Sequence, residues 1–236
     1  MKERATWPHI VALVTLFTVG GLAWQHLAHS AEPAVQIPAP SRDEAATGTH
    51  SETAVFAGGG FWGVQGVFEH IRGVQQAVSG YSGGSAATAQ YETVGTGDTG
   101  HAESVRVTFD PAQVSYGHLL QVFFSVVENP TELDYQGPDE GSQYRSALFP
   151  LDAAQRTVAQ AYIAQLDRAQ AFPSPIVTRV ETYKGFYPAE GYHQNFLEQH
   201  PDNPYIMYND LPKITALRKL FPALYRTAPV LARNYN

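Results

Sequence analysis

The chain has 236 residues, of which 44% are hydrophobic and 16% are charged, so it can bury one sizeable core and is not a disordered protein. Its formal net charge is −7 and its basic residues do not cluster, which excludes a nucleic-acid-binding surface and disfavours an anionic membrane surface as a partner. The absence of cysteine excludes disulfide bonds and thiol chemistry. Soluble small-molecule or peptide chemistry is left.

The first thirty residues differ in composition from the rest of the chain. Lys2 and Arg4 form a short basic start, residues 10–24 are nearly all apolar, and residues 28–30 form a small-x-small cleavage site. This pattern predicts a signal peptide over residues 1–30, with an uncleaved N-terminal anchor helix as the alternative. Both interpretations predict an exported domain, periplasmic or extracellular, which is membrane-tethered only if the leader is retained. No stable membrane partner is expected after cleavage.

Residues 31–52 are rich in Ala, Pro, Ser, Thr and Glu and show no apolar period. This composition predicts a flexible linker between the leader and the folded part. A single domain is therefore expected over residues 53–236.

The domain begins with a short apolar run, three glycines and an amphipathic segment. The run at 53–57 predicts a strand, and the glycines at 58–60 predict a tight turn. A helix over 61–71 is predicted from apolar residues at a 3.6-residue period. Gly60 then lies at a helix N-terminus, where unpaired N–H groups and the helix dipole favour negative charge.

The rest of the chain predicts an alternation of strands and helices. Val105, Val107 and Phe109 alternate with polar residues, which is typical of a half-buried strand, and Ser115 can cap the helix that follows. The predicted elements are a strand over 74–81, a long loop over 85–100, a strand over 103–109, a helix over 115–127, a loop over 129–144, a strand over 146–149, a helix over 152–169 and a strand over 176–182.

The order strand, helix, strand, strand, helix, strand is that of a split βαβ unit. It predicts an α+β two-layer sandwich with a ferredoxin-like core, long functional loops and a C-terminal extension. In that extension, residues 183–208 are dense in aromatic and polar residues without a clean period. Asp210 and Pro212 predict the cap and first turn of a terminal helix.

Four ordered blocks, 59–63, 80–84, 97–103 and 141–146, carry a family resemblance. Together they resemble the signature of the A-type peptide methionine sulfoxide reductases (MsrA), which reduce the S-epimer of methionine sulfoxide. The resemblance runs from about residue 53 to the end of the chain. The family places its nucleophilic cysteine where this chain has Gly60.

The resemblance implies roles for four polar residues. Reduction of a sulfoxide needs a proton donor for the leaving oxygen and hydrogen-bond donors that hold that oxygen. Glu103 is implied as the acid, provided that its surroundings raise its pKa toward neutrality. Tyr91 and Tyr144 are implied to hold the oxygen, and Asp139 is implied to orient groups within the site.

The resemblance also implies a substrate slot and a source of electrons. Phe61 and Trp62 are implied to contact the substrate methyl group, with His101 as a further substrate-binding residue. No bound cofactor or metal is implied. The implied partners are proteins or peptides that contain methionine sulfoxide, and a thioredoxin-like protein as external thiol reductant.

Glycine at position 60 removes the covalent step, because it has no side chain that could attack sulfur. The sequence leaves open whether this glycine is natural, engineered or a stand-in for an unusual residue. Two further functions therefore stay open. One is a non-catalytic binding module for oxidised methionine. The other is a metal-dependent hydrolase built on Asp98, His101 and Glu103, with His193 or His200 completing the ligands.

Overall fold

The computed structural model describes residues 33–45 and 48–233, so the predicted leader over 1–30 lies outside the described residues. Within those two ranges no helix is both long and apolar enough to cross a bilayer.

The strands are β1 (Glu52–Gly58), β2 (Val74–Ser82), β3 (Ala102–Phe109), β4 (Tyr135–Gln136), β5 (Asp139–Glu140), β6 (Ser146–Leu148), β7 (Arg179–Val180) and β8 (Phe186–Pro188). Six of them form a sheet at the centre of the domain with the order β7-β6-β1-β3-β2-β8, and β4 and β5 form a separate hairpin.

The helices fall between these strands and after them. The helices are α1 (Phe61–Glu69), α2 (Tyr91–Val94), α3 (Tyr116–Val122), α4 (Ala153–Arg168), α5 (Phe196–Gln199) and α6 (Leu211–Leu220). Helices α3 and α6 are each joined to a π-helical turn, at Phe123–Val127 and Ile206–Asp210 respectively.

The inner four strands have the order β6-β1-β3-β2, and each neighbouring pair is antiparallel. With α1 between β1 and β2, and α3 between β3 and β6, this is the split βαβ topology, so the predicted ferredoxin-like core is confirmed. β8 extends the sheet antiparallel to β2, and β7 extends it parallel to β6.

The main core lies between one face of the sheet and the helices. Val105, Val107 and Phe109 all point into it and are fully buried, as their alternation predicts. Phe56 of β1 packs on Phe68 of α1 with ring centroids 4.8 Å apart and on Phe123 at 5.4 Å. Because α1 packs against the sheet centre, its N-terminus is held where β1 ends and the antiparallel β3 begins.

The N-terminal caps of two helices differ from each other. Ser115 caps α3 as predicted, since its hydroxyl accepts a hydrogen bond from the His118 N–H at 3.2 Å. Asp210 stands at the N-cap of α6 and Pro212 in its first turn, as predicted, but the Asp210 side chain makes no capping hydrogen bond. Its carboxylate is instead buried beside Gly63 and lies 3.8 Å from the Lys213 ammonium.

Part of the predicted flexible linker is packed on the domain. The Val35 N–H donates to the Ser125 carbonyl at 2.9 Å, and Ile37 is buried. The Tyr162 hydroxyl donates to the Pro38 carbonyl at 2.7 Å. The structure therefore differs from the linker prediction over residues 33–45, because one apolar residue and several backbone groups find partners on α3 and α4.

The long loops contain more structure than predicted, and one strand contains less. The predicted loop over 85–100 holds α2, and the loop over 129–144 holds the β4–β5 hairpin. The strand predicted over 176–182 pairs only at Arg179–Val180. Local composition does not reveal such short pairings, because they depend on which backbone lies alongside.

Candidate active site

A cavity of about 210 Å³ opens at the N-terminus of α1. Its walls come from α1, α2, β3, the β4–β5 hairpin and the segment that precedes α6. The structure thus brings together seven of the residues named from the sequence and adds an eighth, Tyr205. The lining residues are Gly60, Phe61, Trp62, Tyr91, Glu103, Asp139, Tyr144 and Tyr205.

The glycine turn shapes the floor of this cavity. Gly59 has φ of 89°. A Cβ atom there would lie 2.7 Å from the Gln136 side chain, so both conformation and space favour glycine. A Cβ atom on Gly60 would lie 3.0 Å from Asp139 Oδ2 and 3.1 Å from the Tyr205 hydroxyl. A side chain at position 60 would therefore point at these two polar groups.

Glu103 is buried in the cavity and bonded to the helix start. Its Oε2 accepts a hydrogen bond from the Phe61 N–H at 2.9 Å, one of the donors that α1 leaves unpaired. Burial raises the pKa of Glu103 to about 8, and the negative charge of Asp139 adds to that rise while the Phe61 bond opposes it. At neutral pH this carboxyl group is mainly protonated, so it can donate a proton.

Three phenols surround the same space. Burial raises the pKa of Tyr91, Tyr144 and Tyr205, and nearby carboxylates raise it further. All three therefore stay protonated at neutral pH and can donate hydrogen bonds. Tyr205 donates to Asp139 Oδ2 at 2.5 Å. Burial raises the pKa of Asp139, although this hydrogen bond and the Lys213 charge oppose the rise.

The two aromatic residues at the helix start have different environments. Trp62 is partly exposed and stacks on Phe196 with ring centroids 3.8 Å apart. Its indole N–H donates to His193 Nδ1 at 3.2 Å, which fixes the ring orientation. Phe61 is buried and packs on Tyr81 at 5.9 Å, so it belongs to both the core and the cavity wall.

His101 lies outside the cavity lining. Its Nδ1 accepts a hydrogen bond from the Gly84 N–H at 3.2 Å, and its Nε2 lies 2.9 Å from the Ser85 carbonyl, to which it donates. It is buried and holds the turn after β2. The role of His101 in this geometry is to position that turn.

Sequence reasoning missed Tyr205 and gave His193 only a rival role. Tyr205 lies in the aromatic stretch that shows no clean period, and that density of aromatic residues is the signal for it. The His193 ring lies 4.3 Å from the Tyr91 ring and 5.0 Å from the Phe61 ring. Burial lowers the pKa of His193, so the imidazole is neutral and supports the aromatic wall.

The ligands of the hypothetical metal site are separated. Within the described ranges, no three His, Asp or Glu side chains are placed to hold a metal ion together. Asp98 is exposed on its loop, and His200 packs on Phe196. The metal-dependent hydrolase therefore gains no support from the structure.

Fold and cavity together define an α+β protein with a protonated acid and several phenols at a helix N-terminus, an arrangement suited to a substrate oxygen. Residues 52–223 match the family model described as peptide methionine sulfoxide reductase. The MsrA 2 protein of Mesorhizobium japonicum is 64% identical over 181 residues, which cover 77% of this chain and 93% of that protein. The MsrA 2 protein of Synechocystis is 51% identical over 175 residues, or 74% of this chain and 82% of its own length.

A solved structure agrees with these relatives. Methionine sulfoxide reductase A of Corynebacterium diphtheriae is 29% identical and superposes with a TM-score of 0.55, covering 72% of this chain and 85% of its own. The chain belongs to the peptide methionine sulfoxide reductase family.

Proposed function

We propose that the cavity binds the oxidised side chain of peptidyl or free methionine-S-sulfoxide, and that position 60 is the place of the family's nucleophile. The observation that carries this proposal is the protonated Glu103 at the Phe61 N–H, in one cavity with three phenols. A sulfoxide oxygen is a strong acceptor, so donors of this kind complement it. Trp62 and Phe61 supply apolar contact for the methyl group.

The chemistry requires a thiolate at position 60. The thiolate would attack the sulfoxide sulfur while Glu103 protonates the oxygen, which transfers to the thiol as a sulfenic acid and releases the thioether. Two external thiols would then reduce the sulfenic acid, yielding a disulfide and water. The N-terminus of α1 would lower the pKa of a cysteine placed there.

In the chain as written, binding without turnover is the expected behaviour. No residue of the chain is a cysteine, and hydroxyl groups do not pass through a sulfenic acid. The second candidate function, a binding module for oxidised methionine, is favoured by this one observation. Both candidates predict saturable binding, and only the first predicts that a single substitution creates an enzyme.

The decisive experiment is Gly60→Cys. We expect the variant to reduce N-acetyl-methionine-S-sulfoxide with dithiothreitol and to leave the R-epimer unchanged, measured by chromatography of the product. Gly60→Ser is the matched control and is expected to show no turnover. The new Cβ lies 3.0 Å from Asp139 Oδ2, so the carboxyl group has to move by a few tenths of an ångström. A folded Gly60→Cys protein that binds the S-epimer but never reduces it would contradict the assignment of position 60.

Two further parts of the proposal concern the source of electrons and the cellular compartment. An external thioredoxin-like dithiol is the proposed reductant, because even the Gly60→Cys variant would have no second thiol with which to form an internal disulfide. Export through the N-terminal leader is proposed from its composition. Cell fractionation with N-terminal sequencing tests export, and a soluble cytoplasmic protein that still begins at Met1 would refute it.

A further inference from the structure

The exposed large apolar side chains of the described residues are concentrated near the cavity. Seven such residues are exposed, and five of them lie on segments that also carry or adjoin residues of the cavity wall. We call these five the apolar rim: Leu133, Tyr135, Tyr192, Met207 and Tyr208. The other two, Leu151 and Leu231, lie on segments that contribute nothing to the cavity.

Four of the five rim residues are linked to a cavity residue, and the fifth, Leu133, precedes Tyr135 by two positions. Tyr135 belongs to the hairpin that carries Asp139. The Tyr192 ring lies 4.2 Å from the His193 ring, which in turn contacts the cavity residue Tyr91. Met207 and Tyr208 lie in the π-helical turn Ile206–Asp210, whose N-cap residue is Tyr205.

The size of the cavity explains why a rim is needed. A volume of about 210 Å³ holds one amino-acid side chain, not a folded surface. The residues on either side of a bound methionine sulfoxide must therefore lie outside the cavity. Exposed aromatic and aliphatic groups in such a position are typical of a binding surface.

Negative charges predominate around the rim, because the two nearby cations, Arg179 and Lys213, are each paired with a carboxylate, Asp134 and Asp210 respectively. The exposed carboxylates of Glu92 and Glu140 lie on the segments of Tyr91 and Tyr135. The stretches 91–94, 133–140, 190–193 and 205–210 contain no Lys or Arg. A ligand with basic side chains is complementary to this edge, and an acidic ligand is repelled.

We propose that the apolar rim docks an extended segment of an unfolded polypeptide in which apolar and basic side chains flank the oxidised methionine. This inference rests on the proposed function, since the cavity has to hold the sulfoxide. It assigns substrate preference to the rim and leaves recognition of the sulfoxide oxygen to the cavity.

The test uses the full chain with Gly60 and measures binding by fluorescence anisotropy. The probes are labelled nonapeptides with a central methionine sulfoxide, flanked by Leu and Lys, by Ser, or by Glu. We expect the Leu/Lys peptide to bind about tenfold more tightly than the Ser peptide, and the Glu peptide to bind most weakly. The triple variant Leu133→Ser, Tyr192→Ser, Tyr208→Ser is expected to reduce the Leu/Lys preference to within about twofold.

The matched control is the double variant Leu151→Ser, Leu231→Ser, which removes exposed apolar groups elsewhere and should keep the preference. The minimal ligand N-acetyl-methionine-S-sulfoxide methylamide has no flanking residues, so it tests binding to the cavity separately from binding to the rim. If it binds but flanking residues have no effect, the rim proposal fails and the proposed function stands. If neither it nor any peptide binds, both fail. Self-association that the triple variant abolishes would assign the rim to a second copy of the chain and overturn the proposal.

Discussion

The two ends of α1 each hold a buried carboxyl group, and the two groups have different surroundings. At the N-terminus, Glu103 bonds to the Phe61 N–H and faces a cavity. At the C-terminus, Glu69 is fully buried, and among the described residues neither of its carboxyl oxygens has a hydrogen-bond partner. The nearby Ala232 N–H donates to Asn195 instead.

Both carboxyl groups have a raised pKa for the same first reason, which is burial. The pKa of Glu69 rises to about 9, with the charge of Glu198 adding to the effect. The negative end of the α1 dipole also disfavours a carboxylate there. The comparison shows that a raised pKa does not by itself define a site. Glu103 is a candidate acid because a cavity, a donor and several phenols converge on it.

The largest expected effect separates these two acids by activity. In the Gly60→Cys background, Glu103→Gln removes the proton donor while keeping the shape and the bond from Phe61, so kcat/KM should fall by at least about 10²-fold. Glu69→Gln in the same background should leave kcat/KM unchanged. Steady-state kinetics on N-acetyl-methionine-S-sulfoxide measures both variants. Equal losses of kcat/KM in the two variants would contradict a specific role of Glu103 as the acid.

The next effect is the pH dependence of that activity. Because the pKa of Glu103 is raised to about 8, the group is a protonated acid below that pH and loses its proton above it. The rate of the Gly60→Cys variant should fall on the alkaline side by about tenfold per pH unit. The Glu103→Gln variant should lack this alkaline limb. An alkaline limb of equal steepness in both proteins would assign it to another group.

A smaller effect is expected for Tyr205, which the sequence did not single out. Tyr205→Phe removes a phenol from the cavity wall and with it the hydrogen bond that holds down the pKa of Asp139. We expect the affinity for the minimal sulfoxide ligand to fall by about threefold to tenfold, measured by calorimetry. Tyr183→Phe, outside the cavity, is the control. An unchanged affinity would show that Tyr205 lines the cavity without contributing to binding of the sulfoxide.

Glu69→Gln is expected to have no effect on ligand binding. It should instead change the thermal stability of the fold. A carboxyl group whose pKa is raised on folding stabilises the fold fully below its unfolded pKa, and this contribution is lost as pH rises through the folded value, here about 9. Glutamine has no proton to lose, so the Glu69→Gln variant does not lose stability as pH rises through this range. The melting temperature should rise by at least about 2 °C at pH 9 and change little at pH 5, measured by calorimetry. A stabilisation that is equal at both pH values would contradict buried ionisation as its cause.

Several features of the fold could be predicted because they follow from local patterns. The 3.6-residue period after Gly60 predicts a helix, and the alternation from Val105 to Phe109 predicts a strand, because each pattern buries one face of its element. The cap at Ser115 needs only a hydroxyl at the right offset. Asp210 also occupies the N-cap position that the sequence indicates, but it makes no capping hydrogen bond, because tertiary packing buries its carboxylate beside Gly63.

The composition of the site could be predicted only in part. The family resemblance placed seven lining residues, five of them within its four blocks, but Tyr205 comes from a segment 66 residues beyond its partner Asp139. His101 stands two residues from Glu103 and yet faces the Gly84–Ser85 turn. The reason is that His101 precedes β3, where the alternation of a strand does not yet determine the direction of a side chain. The packing of residues 33–45 on α3 and α4 likewise depends on surfaces that are distant in sequence.

By itself the sequence determined the order of the strands and helices, the family signature and the absence of any thiol, since these are properties of residue type and spacing. Only the tertiary structure decided that the Glu103 carboxyl group is buried while those of Glu92 and Glu140 stay exposed, and that phenols from three separate segments meet at one helix end. The physical reason is that desolvation and convergence depend on distances through space, which no local pattern encodes.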